Sequence, residues 1–332
     1  MDRQDRRQGV LNILQNIRRL EPLRIKDTLF YGLPEMRQER QDTAFSFSKR
    51  LNTATAIMVM SRPANGAFAF AAVWLGAFVG RGDLYYYDPK LLAFSSATAL
   101  ILSAGNGIND IFDLQIDTIN RPARPLPSGR VSVKNAAITF TIMMGVGVAL
   151  AFAAGMILGF VATFAGLTLF LYSIKLKAVP LLGNIVVGLL TSLTFLSGGM
   201  IAGAMRNAAV PAIFAFLFTV SRELFKDIQD MPGDRASGIG TAPLVWGIKP
   251  AWNLASAFLA AGILYSPIPW LINGYNLIYL GIMLAGVDIV LIYGLVTLGK
   301  TPHPENAGKM QQILKYDILI GFTAIFLGKP SI

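Results

Sequence analysis

The sequence predicts an all-α, polytopic membrane protein of about nine transmembrane helices, and three observations carry that prediction. Of the 332 residues, 54% are hydrophobic and only 14% charged, against about 25% charged in an ordinary soluble domain. Apolar runs of roughly 18–25 residues recur along the chain, each long enough to cross ~30 Å of hydrocarbon. The connections between those runs differ sharply in positive charge from one side to the other. Membrane β-strands would instead give short segments of alternating hydrophobicity.

In order, the spans are placed at 53–79, 90–112, 134–154, 157–174, 180–203, 209–228, 247–268, 276–298 and 312–328. The N-terminal tail and the segments 113–134, 174–179, 222–250 and 299–315 hold 24 of the 29 Lys and Arg. Arg81, Lys90, Arg206 and Lys329 fall on the opposite side, and Arg62 lies just inside the first span. The positive-inside rule then puts the N-terminus and the basic side in the cytoplasm, with the chain in the cell membrane. Basic residues gathered at span ends also exclude nucleic acid as the reason for the net charge of +10.

Residues 1–51 read as a basic cytoplasmic tail, and 52–332 as a single transmembrane domain. The first 50 residues carry eleven Lys and Arg and seven Asp and Glu. So polar a tail is not expected to be a cleavable signal peptide. Within it, Val10, Ile13, Leu14 and Ile17 recur at helical spacing beside Arg18 and Arg19, the pattern of an interfacial amphipathic helix. There is no cysteine, so disulfides are excluded.

Two acidic segments stand out in this apolar chain. NDIFDLQID ends the second span and KDIQDMPGD ends the sixth. Asp110, Asp113 and Asp117 are matched by Asp227, Asp230 and Asp234, each 117 residues later. At about 100° per residue, Asn106, Asn109, Asp110, Asp113 and Asp117 share one helical stripe roughly 100° wide. Glu223, Asp227, Asp230 and Asp234 repeat that geometry, although Pro232 disfavours helix at Met231 and is expected to leave Asp234 in the loop beyond.

Three carboxylates at one helix end repel each other. Two such clusters facing one cavity must protonate, pair with basic groups or bind cations. Carboxylate and amide oxygens are hard ligands that suit Mg²⁺, which is commonly held by one or two carboxylates and substrate phosphates. A single DxxD is most simply a loop acid or helix cap. Two matched copies at span ends on one side point to function. Arg121, Arg124, Arg222, Lys226 and Arg235 lie close by in sequence and suit a diphosphate, or else serve only to set topology.

These segments resemble the UbiA-type intramembrane prenyltransferase superfamily. The pattern NDxxDxxxD is met by Asn109, Asp110, Asp113 and Asp117, and the second acidic pattern by Asp227, Asp230 and Asp234. Tyr172 and Lys177 in YSIKLK resemble the family's tyrosine–lysine element, SRPANGAF with Arg62 and Asn65 its opening, and LLGNIVVG around Asn184 its fifth span. The resemblance covers residues 52–328 or so. It implies nine transmembrane helices around a central cavity open to the cytoplasm and to lipid. It also implies Mg²⁺-dependent transfer of a prenyl group from an allylic diphosphate donor to a lipid-like acceptor.

On that reading Asn109, Asp110, Asp113, Asp117, Asp227, Asp230 and Asp234 form the metal site. Arg62, Asn65, Arg121, Lys177, Arg222, Lys226 and Arg235 bind diphosphate. Asp113, Asp117, Asp230, Asp234 and Tyr172 are the catalytic candidates, the Tyr172 ring facing the allylic carbon. The segment RELFKDIQDMPGDRASGIGTAP is similar to the branch of the superfamily that alkylates geranylgeranylglyceryl phosphate. That implies a hydroxyl acceptor, with Asp117 or Asp234 as the base. Aromatic or tetrapyrrole acceptors are the alternative, and a transporter is the non-enzyme alternative. His303 reads as a solvated loop residue. Asp288, inside the eighth span, needs a partner that the sequence does not supply.

Overall fold

The computed structural model describes residues 53–81, 88–236 and 238–329, and among these every regular element is helical. The amphipathic helix expected in the tail lies outside the described residues. Nine long apolar helices follow: α1 (Pro63–Arg81), α2 (Pro89–Phe112), α3 (Val133–Ala154), α4 (Met156–Ile174), α5 (Leu182–Ile201), α6 (Met205–Ala236), α7 (Ile248–Tyr265), α8 (Leu277–Leu298) and α9 (Pro304–Gly328).

The caps explain several starts. Asp88 accepts the Lys90 N–H at 2.8 Å ahead of Pro89 in α2. Asn276 accepts from Ile278 and Tyr279 at 2.9 and 3.1 Å to open α8. Ser132 accepts from Asn135 at 3.2 Å to open α3.

Three boundaries differ from those the sequence suggested. The first span does not run unbroken from residue 53. A helical stretch over 53–61 stops at Arg62, whose φ is +49°, and α1 starts at Pro63. Proline disfavours the right-handed helical region for the residue before it, so Arg62 is forced out of helix.

α6 runs straight through Pro232, placing Asp234 in its last turns rather than in a loop. So near the helix end Pro232 removes one backbone bond, while Ile228 and Met231 are buried in the core. Packing therefore outweighs local preference. The helix closes on Gly238 at φ +69°, with Ile239 N–H on the Asp234 carbonyl and Gly238 N–H on that of Arg235. This is a Schellman ending.

Lastly, α9 begins at Pro304, so His303 is its N-cap residue and not part of a longer loop.

α6 is the hub. It packs against α5, α7, α9 and α1, while α2 packs against α1, α3 and α4. Leu224, Phe225 and Ile228 of α6 join Trp252, Leu259, Tyr279 and Met283 in the largest buried cluster, with the Phe225 and Trp252 rings 4.9 Å apart. Glycine lets α1 and α5 touch. A Cβ on Gly198 would collide with the Val73 carbonyl, and one on Gly76 with that of Phe195, the small-residue contact common between membrane helices.

α8 is interrupted by one π-helical segment, Met283–Asp288. A small apolar cavity of about 50 Å³ lies among α1, α6, α8 and α9, walled by Phe68, Phe214, Phe218, Met283 and Phe322 among others.

Candidate active site

α2 stops at Phe112, Asp113 is its C-cap residue, and a short helix, Leu114–Asn120, carries Asp117. The backbone bonds continue across the joint, from Asp113 N–H to Asn109 and from Asp117 N–H to Asp113. The four acidic-motif residues therefore stay on neighbouring turns. Asp110 and Asp117 are buried, at 6% and 4% exposure. Buried carboxylates need partners, and each has one.

Arg62 donates to Asp110 Oδ1 at 2.6 Å and to Asn106 Oδ1 at 2.8 Å. Arg124 reaches back to Asp117 Oδ2 at 2.5 Å and to Asp110 Oδ1 at 3.4 Å. Asp113 takes Lys177 on one oxygen and the Asn109 amide on the other, the latter at 2.7 Å.

Partners of the second motif are mostly neutral. The Asn184 amide donates to Asp227 at 2.8 Å, and Thr241 Oγ1 to Asp234 at 3.5 Å. Asp230 meets Arg121, at 3.4 Å, in a half-exposed pair. That pair matters because it joins the loop after α2 to the end of α6. The two acidic helix ends lie at one end of the bundle and share one polar ring.

The remaining basic candidates divide. Lys226 and Arg222 both donate to Glu223, at 3.3 and 2.9 Å. Arg235 sits exposed in the last turn of α6, and Asn65 sits exposed in the first turn of α1; neither side chain is drawn into the ring by a contact seen here. Tyr172, in the last turn of α4, packs its ring where a Cβ on Gly183 would stand, 3.3 Å away. It lies within electrostatic reach of Lys226, Glu223, Asp227 and Asp113.

Backbone geometry supports the ring at two points. Among the described residues, the non-glycine positions with positive φ are Arg62 and Leu181. One supplies the guanidinium on Asp110, and the other opens α5 three residues before Asn184. Strain of this kind costs roughly 1–3 kcal/mol and collects at functional sites.

Asn106, Glu223 and Thr241 were not singled out as site residues from sequence. Asn106 and Glu223 lay on the acidic stripes, whereas Thr241 gave no signal because its role depends on a chain reversal at Gly238. Asp288 finds its partner in Ser266, whose hydroxyl donates at 2.5 Å. Its other oxygen, and Asp317 Oδ2, are buried without hydrogen bonds among the described residues.

Among the described residues, no three His, Asp or Glu side chains are drawn around one point able to hold an ion. The donor chemistry still fits Mg²⁺, since that ion usually combines one or two carboxylates with phosphate oxygens. Asn109 Oδ1, buried and with no hydrogen-bond partner among the described residues, is a spare neutral oxygen beside Asp113.

A family model described as the UbiA prenyltransferase family matches residues 65–315. The chain belongs to that family. Among similar UbiA relatives is digeranylgeranylglyceryl phosphate synthase of Thermococcus sibiricus, 39% identical over 268 residues, which are 80% of this chain and 94% of the relative. A solved structure of digeranylgeranylglyceryl phosphate synthase superposes with a TM-score of 0.70 at 29% identity, covering 83% of this chain and 98% of that one. A UbiA homologue from Archaeoglobus fulgidus bound to DMAPP and Mg²⁺ shares the fold, with a TM-score of 0.61 at 19% identity over 81% and 98% of the two chains. This UbiA chain is thus a prenyltransferase and a multi-pass membrane protein.

Proposed function

We propose that this prenyltransferase moves a geranylgeranyl group from geranylgeranyl diphosphate to the glycerol hydroxyl of geranylgeranylglyceryl phosphate, with Mg²⁺ at the acidic motifs. The observation that carries this reading is the Arg121–Asp230 pair, which joins the loop after the first motif to the second motif at one end of a bundle of apolar helices. The choice of substrates is supported by relatives 32–39% identical that carry the name digeranylgeranylglyceryl phosphate synthase. The ring faces the cytoplasm in this reading, since Lys and Arg concentrate at that end.

The allylic C–O bond breaks with its electron pair going to the diphosphate, and the acceptor oxygen forms the new ether bond. Lys177, Lys226 and Arg222 stand where they can hold phosphate oxygens. Their positive charge favours the diphosphate as its negative charge grows. When bound, Mg²⁺ adds charge neutralisation to that leaving group.

In this reading the isoprenoid tail lies along apolar helix faces, which keep water from the allylic cation. The Tyr172 ring, beside Lys226, offers a π face to the same carbon. The hydroxyl proton leaves to a carboxylate. Asp117 is already held by the Arg124 cation, whereas Asp234 is met by the neutral Thr241 hydroxyl and is the freer of the two bases considered.

Purified protein in lipid, given Mg²⁺ and labelled geranylgeranyl diphosphate, tests the reading. Geranylgeranylglyceryl phosphate should be alkylated in preference to a panel of phenols. Product from phenols alone would overturn the assignment.

A further inference from the structure

Glu223 lies one turn before Asp227 on α6 and differs from every other acid of the ring. Both of its oxygens are taken by cations of its own helix. Arg222 Nη1 donates to Oε1 at 2.9 Å, and Lys226 Nζ to Oε2 at 3.3 Å. The Glu223 side chain is 12% exposed, against 28% for Arg222 and 36% for Lys226. The carboxylate therefore sits beneath, with the two cations on the open side.

Arg62 also lies within its electrostatic reach. Without Glu223, three positive groups would repel each other in surroundings of low dielectric. With it, the ammonium of Lys226 is held within electrostatic reach of Asp227, Asp230 and Tyr172, beside the second acidic motif.

We infer that Glu223 is a positioning residue, which presents Arg222 and Lys226 to the diphosphate of the donor and does not itself hold metal. The inference rests on the prenyl-diphosphate reading above. An acid with both oxygens engaged by cations has little left for a third. Asp227, by contrast, is bonded by a neutral amide.

The test uses full-length protein in lipid, with the donor varied at saturating acceptor and Mg²⁺. Glu223→Gln keeps the volume but removes the charge, and its amide nitrogen faces Lys226 with the wrong polarity. It should raise the donor KM by about tenfold, with a smaller change in kcat and none in the acceptor KM or the Mg²⁺ requirement. Glu223→Asp should restore most of the loss. Lys226→Met should give the same donor effect, and the two changes together should cost less than their sum.

A Glu223→Gln protein with normal donor KM, or with kcat alone reduced, would overturn the inference, since a merely structural acid lowers the active fraction. Additive effects of Glu223→Gln and Lys226→Met would overturn it as well. Wild-type protein that turned over no prenyl diphosphate would instead remove the reading beneath it, and this inference with it.

Discussion

The two acidic motifs share their spacing but not their electrical surroundings. In the first, Asp110, Asp113 and Asp117 are each met by a cation from elsewhere in the chain: Arg62, Lys177 and Arg124. In the second, Asp227 and Asp234 are met by the neutral groups of Asn184 and Thr241, and Asp230 by a long, half-exposed contact with Arg121. Identical spacing thus produces one cluster in which every acid has a cation at contact distance and another in which neutral groups take most of those places. The first resembles a built wall that fixes the loop after α2. The second leaves its carboxylates with fewer cationic contacts.

The largest effect should come from removing the central acid of either motif. Asp113→Ala and Asp230→Ala are each expected to lower turnover by about two to three orders of magnitude, because each removes a carboxylate that would help hold the Mg²⁺ neutralising the leaving group. Both proteins should remain folded in detergent, as monitored by thermal unfolding. Near-normal rates in both would take these acids out of catalysis.

A sharper probe of the contrast is a matched pair of amides. Asp227→Asn should raise the Mg²⁺ concentration for half-maximal rate by about tenfold, within the range seen when groups around a metal site are altered. Asp110→Asn should move it far less and should instead loosen the segment 121–131 to hydrogen exchange. Equal shifts in Mg²⁺ requirement would erase the distinction between the motifs.

The smallest effect belongs to Arg121→Ala. Its pair with Asp230 is long and half-exposed, so the stability change should stay under ~1 kcal/mol. A large loss of stability would mean that this contact, and not the helix packing, holds the two motifs together.

Much of the ring was legible because membrane spans are so apolar that each acid in them stands out. Asn109, Asp110, Asp113, Asp227 and Asp230 could be found by spacing alone. Arg62 and Lys177 needed the family resemblance, since a lone basic residue at a span end has topology as a sufficient explanation. The boundaries were less legible for the same reason that the acids were visible. Charge marks where hydropathy falls, and α6 carries Arg222 to Asp234 on a helix that does not stop there. Buried pairing of those charges, and core packing at Ile228 and Met231, sustain a helix that a hydropathy profile ends early. Pro232 misled in the same direction, because its cost depends on how much helix lies beyond it.

By itself the sequence determined the membrane-spanning class, the number of apolar helices and the existence of two matched acid clusters. Those follow from local composition, which the cost of placing polar groups in hydrocarbon makes nearly unambiguous. Only the tertiary structure decided which cation meets which carboxylate. Lys177 lies 64 residues from Asp113, and Arg121 lies 109 residues from Asp230. Such partnerships depend on how α1, α2, α5 and α6 pack, and no local pattern in the chain encodes a distance across that bundle.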